Sequence, residues 1–176
     1  MKKTAAVIMS ILLMLTAFCC FASGCAAGSE PKKPQTVPMP EYTPPAGFTA
    51  DADKEGRYLA SGDDLSSIVI GTDDRTTDFD RASADYFKNN CLDQLAYAAD
   101  VDPEDIEYSM NDVMVSGREA IKITAKYTIN ETMPDEAQVV QVQYVIRAND
   151  NTLWMYTLTQ VGEFDHIADF ARSVQG

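Results

Sequence analysis

The stretch Ile121-Lys122-Ile123-Thr124-Ala125-Lys126-Tyr127-Thr128-Ile129 decides the fold. Apolar and polar residues alternate with a period of two across it, which predicts a strand with one face in a core and one toward water. Further along, Val140, Val142, Tyr144 and Ile146 alternate with Gln141, Gln143 and Arg147 in the same way. Asn149-Asp150-Asn151 makes a turn, and Leu153 to Gln160 runs back as another strand. On the N-terminal side, Ser116-Gly117 turns the chain into this meander from a strand holding Ile106, Tyr108 and Met110 on one parity. Val113 and Val115 hold the other. That change of parity at Asn111-Asp112 predicts a β-bulge.

Helices bracket the meander. Ala84, Phe87, Cys91, Leu95 and Ala98 recur at helical steps and predict a long helix over about 81–99. Asp78, Asp80 and Asp85 gather near its positive end. A closing helix over about 165–174 carries the stripe Ile167, Phe170, Ala171 and Val174. Before the long helix, Gly47 to Ala50 and Arg57 to Ala60 flank a polar turn and form a short hairpin, and Ser66 to Gly71 is an apolar strand. The class is therefore α+β: an antiparallel sheet with a long helix and a C-terminal helix packed on it.

This order of elements resembles the PsbP/Mog1-like α/β/α sandwich. Gly47-Phe48, Gly117-Arg118-Glu119-Ala120, Leu153 to Thr159 and Phe164 to Val174 carry the resemblance, which covers about residues 46–176. The Tyr-Pro-Xaa-Xaa-Trp element usual after the first hairpin is replaced by Ser61-Gly62-Asp63-Asp64-Leu65. The resemblance implies an assembly or binding protein rather than an enzyme.

Upstream of the domain, Lys2-Lys3 precede an apolar run from Ala5 to Phe21, and Ala22-Ser23-Gly24-Cys25 closes it with small residues. The segment resembles a bacterial lipoprotein signal and its lipobox, with Ala22 where Leu is commoner. Residues 1–24 are then a removable signal peptide rather than a membrane span. Cys25 becomes the lipidation site and the membrane anchor, at the extracytoplasmic face of the bacterial cell membrane. From Ala26 to Pro45 six prolines fall among few apolar residues, so residues 25–45 form the lipidated cysteine and an extended tether, and residues 46–176 the globular domain.

The chain has 176 residues, 27 acidic against 14 basic, and a net charge of −13. Loss of the leader takes Lys2 and Lys3 and no acid, which brings the charge to −15. Such a surface is repelled by phosphate backbones, which excludes nucleic acid as a partner. The partners expected are membrane lipid, through Cys25 acylation, and a protein at the cell envelope. Of four cysteines, Cys19 and Cys20 leave with the leader, so no disulfide framework remains, and Cys91 belongs to the helical stripe as a small buried hydrophobe.

No catalytic set, metal site or cofactor site is expected. His166 is the sole histidine and is read as a surface helix residue. Asp51, Asp53, Glu55 and Gly56 imitate the first half of a calcium loop. Position twelve, however, is Gly62 where a bidentate Glu is needed, so the segment reads as a hairpin turn. Asp73, Asp74, Asp78 and Asp80 form a second acidic run without ligand spacing. Trp154, Tyr144, Tyr156 and Tyr127 are candidates for a groove, although aromatics at strand spacing are more often core. The expected function is a membrane-anchored, non-catalytic binding or assembly module. The alternatives are a carboxylate-based hydrolase or metal-dependent enzyme, and an acidic chaperone or inhibitor of a basic protein.

Overall fold

A computed structural model describes residues 36–73, 79, 92–129 and 137–176. The leader, Cys25, the first part of the tether, residues 81–91 of the expected long helix with Cys91, and the acids Asp74, Asp78, Asp80 and Asp85 lie outside the described residues. So do residues 130–136.

Among the described residues seven antiparallel strands form one sheet: β1 (Phe48–Ala50), β2 (Arg57–Ala60), β3 (Ser67–Asp73), β4 (Glu107–Val115), β5 (Arg118–Ile129), β6 (Ala137–Asn149) and β7 (Thr152–Val161). The spatial order is β1-β2-β3-β7-β6-β5-β4. Two of its hairpins follow from turn chemistry. Ser116 and Gly117 both have positive φ, 48° and 77°, the backbone that a two-residue turn needs between right-twisted strands. After β1 the chain reverses through Asp51 to Gly56, where Arg57, almost fully buried, sets its guanidinium 3.4 Å from the Asp51 carboxylate.

Among the described residues two α-helices cover the sheet: α1 (Asp93–Ala99) and α2 (Ile167–Gln175). Within α1, Leu92 at the N-cap, Leu95, Ala96 and Ala99 are buried, while Ala98 is only half-buried. Among the described residues the stripe therefore runs through 92, 95, 96 and 99; of the expected positions described, Leu95 lies in it and Ala98 at its margin. For α2 the expected stripe is borne out: Phe170 and Val174 are buried and Ile167 and Ala171 pack beside them.

Cross-strand partners show that the sheet is buried on both faces. Ala125, Gln141, Thr159 and Ser67 are register partners on the first face, where Tyr127 and Val139 meet α1. Thr124, Val142, Leu158, Ile68 and Tyr58 are partners on the second, where Tyr144, Trp154 and Tyr156 belong to the α2 cluster. The apolar set of β5 from Ile123 to Ile129 and that of β6 thus point to opposite layers. Gln141 and Gln143, expected to face water, are buried at 4% and 6% exposure.

The same geometry replaces the expected bulge at Asn111-Asp112. β4 keeps an unbroken register against β5 from Glu107↔Lys126 to Val115↔Arg118. Tyr108 and Met110 pack in the first layer and Val113 and Val115 in the second, because the two cores are offset along the strand. The register shift that does occur lies between Arg147 and Asn149, at the β6–β7 turn.

Candidate functional site

Two constructions near the second face bring functional side chains together. The first begins with the tether. Residues 36–45, expected to be free, lie along the second face as a strap: Val37, Met39 and Tyr42 pack into the α2 cluster, while Pro38, Pro40 and Glu41 stay exposed. Proline removes amide donors at four of these ten positions, so no ladder can hold the strap and side chains do so instead. The Val37 amide donates to Thr152 Oγ1 at 3.1 Å, and the Val37 carbonyl accepts from Trp154 Nε1 at 3.2 Å. Both backbone groups of one residue are thereby satisfied by alternate residues of β7. Thr152 is 1% exposed, so its hydroxyl is a fixed part of the sheet. Arg118 reinforces the clamp, with its guanidinium 4.8 Å from the Trp154 ring centroid and Nη1 donating to the Ala148 carbonyl at 2.7 Å.

Tyr42 closes the other end. Its ring meets Tyr58 edge-on and Tyr156 at a tilt, both at 5.4 Å, and its hydroxyl shares a 2.9 Å hydrogen bond with Ser173 Oγ on α2. Burial pushes the phenol up to about 12, against the opposing pull of the Ser173 hydrogen bond, so it is neutral at ordinary pH.

The second construction holds the sole histidine. His166 Nε2–H donates to Asp64 Oδ2 at 2.6 Å, and the His166 amide donates to Gln160 Oε1 at 2.8 Å. Phe48 meets the imidazole edge-on at 4.9 Å and Phe164 stacks on it at 5.9 Å. The expectation of a plain surface residue is corrected: this side chain is 22% exposed and its ring is hydrogen-bonded to Asp64. Asp64 also accepts from the Ser66 amide at 2.9 Å and from the Ser66 hydroxyl. Burial raises its carboxyl, but these hydrogen bonds and His166 outweigh that and hold it below the usual carboxylate range. Ser66 Oγ in turn accepts from the Val161 amide at 3.1 Å. The carboxylate stands between serine and histidine, whereas nucleophilic catalysis needs the histidine between serine and acid. The cluster ties the β2–β3 loop to the entry of α2.

Other candidates separate. Trp154, Tyr144 and Tyr156 share the second face, but Tyr127 lies in the first layer. Asp51 is occupied by Arg57 and by the Asp53 amide, which donates to Asp51 Oδ1 at 3.0 Å. Among the described residues no group of three or more His, Cys, Asp or Glu is placed to hold a metal ion. A cavity of about 490 Å³ opens at the β4–β5 end beside Phe79, Met114 and two exposed carboxylates, Asp112 and Glu119. Among the described residues no helix is long and apolar enough to cross a membrane. The strap escaped sequence reading because prolines suggested a free chain. Its signal was the spacing of Val37, Met39 and Tyr42 between them.

No family model matches the chain, and no curated protein does. Solved structures similar to it include a protein of unknown function and putative regulator, PA94, from Pseudomonas aeruginosa. It is 16% identical over 66% of this chain and 74% of its own, with a TM-score of 0.43. LpqN of Mycobacterium tuberculosis, involved in cell envelope biogenesis, is 13% identical over 80% of this chain and 84% of its own, with a TM-score of 0.40.

Proposed function

We propose that the chain is an extracytoplasmic bacterial lipoprotein, anchored through acylated Cys25, whose α+β domain is a non-catalytic binding or assembly module. The observation that carries the anchor is the Lys2-Lys3 start, the apolar run to Phe21 and the small-residue approach to Cys25. Two or three acyl chains, at about 0.8 kcal/mol per buried methylene, hold a protein stably where one does not. The sandwich of helices on both faces, with a four-strand meander, supports the PsbP-like reading. The binding reading draws support from the sole histidine, whose ring is taken up by a hydrogen bond to Asp64 between the β2–β3 loop and α2, and from the aromatic second face. Cell fractionation of the full chain and of Cys25→Ala tests the anchor. The unaltered protein is expected in the membrane fraction and Cys25→Ala outside it; retention of Cys25→Ala in the membrane overturns the anchor.

A further inference from the structure

We infer that the second-face groove between β7 and α2 is a recognition site for extended, proline-interrupted polypeptide, and that residues 36–45 are its occupant in cis, displaceable by a segment of like chemistry on a partner protein. The inference rests on the binding-module reading and names the partner class; it does not involve Cys25.

The groove has the parts that such recognition needs. Thr152 Oγ1 and Trp154 Nε1 read the N–H and C=O of a single residue, a backbone contact indifferent to the side chain. Selection falls on the side chains that enter: Val37 and Met39 pack against the apolar cluster, and Tyr42 meets Tyr58 and Tyr156. The intervening prolines point outward and preset an extended backbone, so little conformational entropy is lost on docking. Aromatic-lined grooves that take proline-rich segments use the same physics. The strap has no ladder to the sheet; side-chain hydrogen bonds at Val37 and Tyr42 tie it to β7 and α2. A segment held by side chains, without a backbone ladder, opens more readily than the β6–β7 pair. Release would also lengthen the segment between Cys25 and the sheet by ten residues, roughly 30 Å when polyproline-like.

Trp154 is the sole tryptophan and lies in the groove, so its fluorescence reports occupancy. The probe is a synthetic peptide with the sequence of residues 36–46, which lacks tryptophan. It is titrated into the full chain and into a Val37→Asp/Met39→Asp chain whose strap is weakened. The inference expects saturable binding to the variant, at least ten-fold weaker binding to the unaltered chain, and none by a peptide carrying the same two Asp residues. No saturable change in a variant with native circular dichroism, or equal binding of the Asp peptide, overturns it. Should the variant not fold, amide exchange on the unaltered chain decides. Exchange at Val37 at least ten-fold faster than at Val142 and Leu158 supports a displaceable strap, and exchange at the same rate overturns it. A failed titration leaves the Cys25 anchor standing, and a failed fractionation leaves the groove.

Discussion

Trp154 and Val37, 117 residues apart in the chain, are joined by a 3.2 Å hydrogen bond from the indole to a backbone carbonyl, and that bond turns half of a proline-rich tether into part of the second layer. Tethers usually begin where packing ends. Here packing reaches back to Val37, and the residue's amide is held as well, by the buried Thr152.

Thr152→Val keeps the shape of the side chain and removes the acceptor for the Val37 amide. The expected cost is on the order of 1 kcal/mol, the net value of one hydrogen bond. Urea unfolding followed by circular dichroism measures it, and an unchanged midpoint contradicts the clamp.

Asp64→Asn tests the tie between the β2–β3 loop and α2. The folded carboxyl lies below its unfolded value of about 3.9. Its contribution to stability is therefore complete above about pH 4 and is lost as pH falls through the lower folded pKa. The variant should be less stable by roughly 1–3 kcal/mol at pH 7, as for hydrogen bonds to a charged group. That deficit should shrink below about pH 4. Urea midpoints across a pH series check both statements; a deficit that is constant to pH 2 contradicts them.

Gly56 and Gly117 separate two costs of a side chain. Both have positive φ, 74° and 77°, so alanine at either costs about 1–2 kcal/mol in backbone conformation. A Cβ at Gly117 meets open space, whereas at Gly56 it would lie 2.7 Å from the Ile70 carbonyl oxygen, a backbone atom. Gly56→Ala should therefore lower the thermal midpoint further than Gly117→Ala.

Phe170→Ala removes a fully buried ring of α2 that faces Tyr144 at 5.9 Å. A loss of about 3–5 kcal/mol is expected from transfer and cavity together. Denaturant unfolding measures it; a loss under 1 kcal/mol would mean that α2 does not cap the second core.

Local patterning made most of the elements legible. The hairpin at Asp51–Gly56, the turn at Ser116-Gly117, the four-strand meander and the α2 stripe all follow from period and turn residues within a few positions. What stayed hidden needed long-range pairing. Ile123 and Val142 read as two examples of one half-buried pattern, yet β5 and β6 turn them to opposite layers. The parity change in β4 marks two offset cores, and single-strand alternation cannot distinguish that from a bulge. His166 looked like a surface residue because its partner, Asp64, lies 102 positions away. The strap was hidden because proline excludes a ladder but does not prevent packing.

Mass spectrometry of the N-terminal peptide of protein purified from its native membrane tests the anchored-module account most directly. The account predicts a chain that starts at Cys25, with a thioether-linked diacylglyceryl group on the sulfur. A free thiol at Cys25, or a peptide that still carries the leader, would contradict it.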